Sequence, residues 1–446
     1  FFTGGFLYCA LEILMRGYSH ISMLLAGGIC FVLVGAVQNL LGGQASLVGQ
    51  MLLCSLMITV VEFVVGMIVN RYLHLAVWDY SGHFFHFRNP RIEEFVCRHM
   101  NRERLVHVNK HTQIYYKGNY IDFPFQKNIH QLEKDEFIDC LYDLFQADST
   151  KSPTSFKEMV YNNYGKSIAD KFLIPYNEKL YACDLNRLDS DAMGRFFPQA
   201  SKEEIIANFR NSDNNSYNSS FVYSKDGAIS YIDSLMKRLE SGSVFTGEEV
   251  LSIDRKQKRV KTNLRELKYE HLISTMPFPR LLELCEMEYE SAVYSCNKVL
   301  VFNLGFDRKG RDIRNHWVYF PENKYVFYRV GYYDNIQNTD RMSLYVEIGW
   351  KENENMGVPQ ELLQRVIADL KNAGIIEGQQ LVDYEMIVMN PAYVHINHKQ
   401  LDDLVIQKKK LEEENIYSIG RYGSWTYCSI EDNILEAEQL ALKLNK

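Results

Sequence analysis

The apolar positions divide the chain into two unlike stretches. Ile21–Leu41 runs 21 residues without a formal charge, and residues 46–69 run 24 residues interrupted only by Glu62. About 20 consecutive apolar residues suffice to cross a hydrocarbon core, so the pattern predicts two transmembrane helices. Residues 1–15 read as the end of an earlier span that is itself incomplete, since the chain opens on Phe1 within an apolar run. Arg16 precedes the second span and Arg71 follows the third, while the loop 42–45 is uncharged. The positive-inside rule places both cations on the cytoplasmic side. The expectation is a multi-pass protein of the cell membrane, partnered by the lipid bilayer and other membrane helices, with its soluble domain cytoplasmic. Glu12 and Glu62 leave two readings open: a polar site inside a helix bundle, or neutral acids hydrogen-bonded to a neighbouring helix.

Past residue 81 the periods become those of an α+β domain. Residues 113–116 and 120–123 alternate around Lys117-Gly118-Asn119 and predict a hairpin. Helices are predicted over 133–145, over 156–164 behind a Ser or Thr cap, and over 227–240. Short strands follow at 244–246, 250–254, 259–262 and 271–274, then a strand at 417–419 and an amphipathic helix at Ile430–Leu444. The Asn/Ser-rich stretch 211–220 reads as a surface loop.

Charge and composition narrow the chemistry. The net charge of -7 gives no basic footprint for nucleic acid. Nine cysteines show no C-x-x-C pair, which argues against zinc and for free thiols in a reducing compartment. His83, His86, His99, His107 and His111 lie near one another in sequence without a strict ligand spacing, so no metal site is expected.

Two resemblances enter on particular residues. Gly5-Phe6, Glu12, Ser19-His20-x-Ser22-Met23 and Gly27-Gly28, with Val61-Glu62-Phe63 and Val77-Trp78-Asp79-Tyr80-Ser81, are similar to bacterial membrane proteins of the ABC-transporter permease type. This covers residues 1–81. Beyond it, Asp226-Gly227, Val250-Leu251-Ser252-Ile253-Asp254 and His271-Leu272-Ile273-Ser274-Thr275-Met276-Pro277 resemble the FAD-dependent amine oxidase, UDP-galactopyranose mutase and protoporphyrinogen-oxidase-like superfamily. So does Ile419-Gly420-Arg421-Tyr422-Gly423-Ser424-Trp425-Thr426-Tyr427, the strongest match, and so do Ser81-Gly82-His83-Phe84-Phe85-His86, 172–180, 316–321 and 327–330. The second resemblance covers residues 82–446.

The fold so implied is a set of N-terminal transmembrane α-helices followed by an incomplete Rossmann-like α+β flavoprotein domain with a mixed-sheet substrate domain. Flavin-side parts are expected near 82–130, 221–280 and 415–446, and substrate-side parts near 131–220 and 281–414. The cofactor implied is FAD, with Gly82, His83, Val250, Gly420, Arg421, Tyr422, Gly423, Trp425 and Tyr427 beside it. Trp317, Tyr319, Tyr328 and Arg329 are implied on the substrate side, where aromatic faces and an arginine suit a nucleotide-sugar. One feature of the family is missing: no G-x-G-x-x-G occurs anywhere in the chain, so the turn that grips the FAD pyrophosphate has no counterpart. Two functions follow. One is a membrane-anchored oxidoreductase or redox-neutral mutase. The other is a non-catalytic chimera carrying an inactive flavoprotein remnant.

Overall fold

Seven strands form the central sheet of the computed structural model, which describes residues 2–3, 5–7, 10, 21–41, 58, 60–61, 78–214 and 219–445. Their order is Leu381–Met389, Asn297–Phe306, Ser343–Lys351, Arg329–Tyr332, Trp317–Tyr319, Thr112–Tyr116, Asn119–Asp122. The neighbours are antiparallel except Trp317–Tyr319 beside Thr112–Tyr116, which run parallel with Trp317 opposite Thr112. The expected hairpin is thus present and forms one edge of this mixed sheet.

The long strands are apolar at successive positions because both faces of the sheet are covered. Along Asn297–Phe306, Val299 and Val301 join one core while Leu300, Phe302 and Leu304 join another. The first face carries the helices Phe156–Ile168 and Ile174–Tyr181; the second packs on Val366 and Leu370 of Pro359–Asn372. Ser155 caps Phe156–Ile168, accepting the Glu158 N–H at 3.2 Å, and so satisfies a donor the helix start leaves free.

The remaining elements are smaller. Leu272–Ser274 and Ile416–Ser418 form a parallel pair. Val250–Asp254, Arg259–Thr262 and Glu266–Lys268 form an antiparallel sheet. Residues 244–246, expected as a strand, are irregular: Val244 and Phe245 are exposed and no ladder partner fixes them among the described residues. Ile430–Leu444 forms as predicted, opened by a capping box between Ser429 and Asp432.

The N-terminal expectation needs correction. Ile21–Leu41 is helical, yet no helix among the described residues is long and apolar enough to cross a membrane. The expected transmembrane helices and multi-pass membrane localisation are therefore not supported. Within this stretch Ala26 and Cys30 are buried while Phe31 and Val32 are exposed, and a side chain at Gly5 would collide with the Leu24 carbonyl. Most of residues 46–69, with Glu12, Arg16, Glu62 and Arg71, lies outside the described residues.

Candidate functional site

Residues far apart in sequence converge on a cavity of about 490 Å³. Just before its wall in sequence stands Asp79, a buried carboxylate that accepts from Tyr223 Oη and, at 3.0 Å, from the Ala228 N–H. Its backbone carbonyl accepts from Asn303 Nδ2 at 3.0 Å. Burial raises the Asp79 pKa, and the bonds from Tyr223 and Ala228 oppose that rise. Trp78, just before it, donates from Nε1 to Ser343 Oγ at 2.7 Å. This anchoring fixes Ser81-Gly82-His83 against the cavity. A side chain at Gly82 would sit 2.7 Å from Tyr345 Oη and from the Phe84 ring, so glycine is required by close approach.

Two arginines set the charge. Arg329 makes a two-point ion pair with Glu347, its second nitrogen 2.7 Å from Oε1. Glu347 also accepts from Ser81 Oγ. That pair is neutral overall. Arg421 differs: it donates to the Cys428 carbonyl at 3.1 Å and lies over the rings of Tyr427 and Tyr393, 4.6 and 5.5 Å from their centroids. No carboxylate among the described residues pairs with it, so it is the uncompensated cation of the cavity. His83 opens onto the same space and is exposed to it. Desolvation lowers its pKa, with Asp79 and Glu347 acting against that.

A smaller cavity of about 90 Å³ adjoins the first, sharing Arg329, Phe196, Tyr393 and Tyr427. Its lining is aromatic, with Phe123, Phe172, Tyr176 and Tyr319. The Tyr176 ring stacks on Phe172 at 5.1 Å and meets Tyr319 edge-on at 5.0 Å. Arg329 and the tyrosine hydroxyls give it polar groups, and Asn177 Oδ1 is buried without a hydrogen-bond partner.

Of the residues expected at the cofactor, Gly82, His83, Arg421, Tyr422 and Tyr427 line the larger cavity. Gly420 opens the short helix Gly420–Gly423 and gives its N–H to Glu436 at 2.7 Å. Gly423 is buried, its carbonyl accepting from Ser418 Oγ at 2.8 Å. Trp425 turns into the core at a left-handed φ of 43° and packs edge-on to Tyr294. Val250 begins the three-stranded sheet and lines neither cavity. On the substrate side, Trp317 and Arg329 line the larger cavity, Tyr319 and Arg329 the smaller. Tyr328 is fully buried behind them against Tyr176. Sequence reasoning passed over Glu347, Phe196, Tyr393 and Asn433. A lone acid inside the apolar strand Ser343–Lys351 was the available signal for Glu347, since a buried charge requires a partner.

This arrangement, a mixed sheet beside a parallel pair with the cavity between their residues, defines an amine-oxidase-like α+β flavoprotein fold. The sequence model of the family described as "Flavin containing amine oxidoreductase" matches residues 74–431, and the chain belongs to that family. The family described as "Putative ABC-transporter type IV" matches residues 1–97 and overlaps it. A reduced UDP-galactopyranose mutase superposes with a TM-score of 0.72 at 22% identity, covering 79% of each chain. A "Putative protoporphyrinogen oxidase" from Exiguobacterium sp. 255-15 gives 0.64 at 15%, covering 82% of this chain and 87% of that one. Cyclohexylamine oxidase from Brevibacterium oxydans IH-35A gives 0.56 at 11%, covering 83% and 88%. At these identities the likeness is one of fold.

The family implies a flavin. The larger cavity offers it a cation, Arg421, that no carboxylate among the described residues neutralises. The dinucleotide end has no G-x-G-x-x-G turn in this chain to hold it.

Proposed function

We propose that this chain is a flavin-dependent enzyme acting on a nucleotide-sugar, by hydride removal or by rearrangement without net redox change. One observation carries the reading: a small aromatic cavity and a larger one meet at Arg329, and the larger is lined by the uncompensated Arg421. The base stacks against Tyr176; the diphosphate lies at Arg421; the sugar extends toward Gly82 and His83. A bound FAD supplies two-electron chemistry, with Gly82, His83, Arg421 and Tyr422 around its ring. His83 offers an imidazole on the same wall.

A second reading, a non-catalytic remnant, is favoured by the missing glycine-rich turn. Charge-assisted hydrogen bonds contribute roughly 1.5–3 kcal/mol each, so losing several weakens a dinucleotide by roughly three decades or more. Titrating the purified protein with FAD and with UDP separates the two. A perturbed flavin spectrum together with UDP binding that R421M weakens supports the enzyme. A protein that stays colourless and binds neither sinks it.

A further inference from the structure

The helix Ile174–Tyr181 carries Tyr176 and Asn177 into the aromatic cavity, and its last turn carries a lysine whose geometry is unusual. Lys179 Nζ donates to the carbonyl oxygens of Phe320, Glu322, Tyr325 and Phe327; the first three lie at 2.8, 3.2 and 2.9 Å. These four carbonyls belong to one loop, the connection between the strands Trp317–Tyr319 and Arg329–Tyr332. Phe320 directly follows Tyr319, and Phe327 lies two residues before Arg329. The ammonium therefore closes the neck of the hairpin whose two sides present Tyr319 and Arg329 to the cavities.

We propose that Lys179 is a positioning residue: it holds the 320–327 loop closed and thereby sets Tyr319 and Arg329 at the junction of the two cavities. This rests on the nucleotide-sugar reading only for what the junction binds.

The helix does not depend on this ammonium for its own place. A side chain at Gly349 would collide with the Lys179 carbonyl, so the helix end presses directly on the central strand. The Leu180 carbonyl accepts from Asn297 Nδ2 at 2.6 Å, and His395 Nε2 lies 2.9 Å from the Tyr181 carbonyl. Lys179 thus reaches out from an anchored helix to a loop. The loop has other ties: Phe320 N–H to the Tyr328 carbonyl at 2.8 Å, Val326 N–H to Asp369 at 2.8 Å, Lys117 N–H to Glu322 at 3.0 Å and Arg365 to the Lys324 carbonyl at 3.2 Å, with Phe320, Tyr325 and Phe327 buried. Lys179 adds to these by gathering four carbonyls at one point; buried carbonyls stripped of a donor are costly, so removing its Nζ loosens the loop. Burial pushes the Lys179 pKa down to about 7, and Asp369 and Glu322 are the acids that face the lysine and oppose that shift. Neither pairs with it, so the carbonyls, rather than a salt bridge, define the contact.

Hydrogen exchange on the full chain, comparing wild type with K179M and K179R, tests this without any ligand. The expected result is at least tenfold faster exchange in K179M for amides of 320–330, with 174–181 unchanged, and recovery of protection in K179R. Unchanged exchange at 320–330, or equal loosening of the helix, overturns the assignment. A parallel titration with UDP reads the consequence. Binding weakened at least tenfold in K179M and restored in K179R is expected, and a loosened loop with wild-type UDP affinity overturns the positioning role. If the wild type itself does not bind UDP, the nucleotide-sugar reading fails, and the exchange result alone decides whether Lys179 fixes the hairpin.

Discussion

Arg329 and Glu347 stand opposite each other in register on adjacent antiparallel strands and join through two hydrogen bonds. Glu347 is 2% exposed and Arg329 20%. Each charge is tolerable only because the other is there, for an isolated buried charge is far costlier than a paired one. E347A leaves Arg329 unmatched and should lower stability by about 3–5 kcal/mol. The double variant R329M/E347M should regain much of that. Urea unfolding of the three proteins measures it; an E347A loss below 1 kcal/mol means water already screens the pair.

Asp79 predicts a pH effect of defined sign. Its folded pKa is raised by burial above the ordinary 3.8, so the folded state holds this proton more tightly than the unfolded chain does. Its contribution is most favourable below pH 3.8 and falls as pH rises through the folded pKa. D79N removes the ionisation while keeping an acceptor for Tyr223 and Ala228. The stability of wild type relative to D79N should therefore decline as pH rises from 3.8 toward the folded pKa. A difference that is flat or grows with pH contradicts the assignment.

Gly331 lies opposite Tyr345 in the same sheet, and the tyrosine ring covers the space where its side chain would be. Tyr345 in turn backs Gly82. G331A should cost about 1–3 kcal/mol through overpacking, and it should disturb the cavity wall as well as the strand. Thermal unfolding, with flavin or UDP binding measured alongside, checks both. A variant with wild-type stability means the ring swings aside freely.

Elements with a clear local period were legible: the 112–122 hairpin, Phe156–Ile168 and Ile430–Leu444 each follow from spacing and caps. The Gly420-Arg421-Tyr422-Gly423 motif was also legible, and it does bring Arg421 and Tyr422 to the cavity. Trp425 was not separable from them, because its left-handed turn into the core is set by packing on Tyr294 rather than by neighbours in sequence. Val250 misled for a related reason: a V-x-x-I strand looks alike whether its sheet borders a site or solvent. The apolar N-terminal run misled most. Hydropathy counts residues that avoid water without saying whether lipid or protein covers them, and Ala26, Cys30 and Gly5 meet protein.

Asn177 offers the sharpest test of what the aromatic cavity accepts. It is 3% exposed, and its Nδ2 donates to the Leu173 carbonyl at 2.7 Å while Oδ1 has no partner. A buried acceptor without a donor destabilises the fold, so N177A removes a favourable bond and an unfavourable orphan together. The net change in stability should be under about 1 kcal/mol. Ligand binding should respond more. If a base N–H occupies Oδ1, N177A forfeits a neutral hydrogen bond of about 0.5–1.5 kcal/mol, which is roughly two- to tenfold in Kd. N177D should do worse than that, because it adds a buried negative charge and forfeits the Nδ2 donation to Leu173. Calorimetric titration with UDP ranks the three proteins. An N177A protein that binds UDP as the wild type does would show that Oδ1 meets no ligand donor, and the base would have to lie elsewhere.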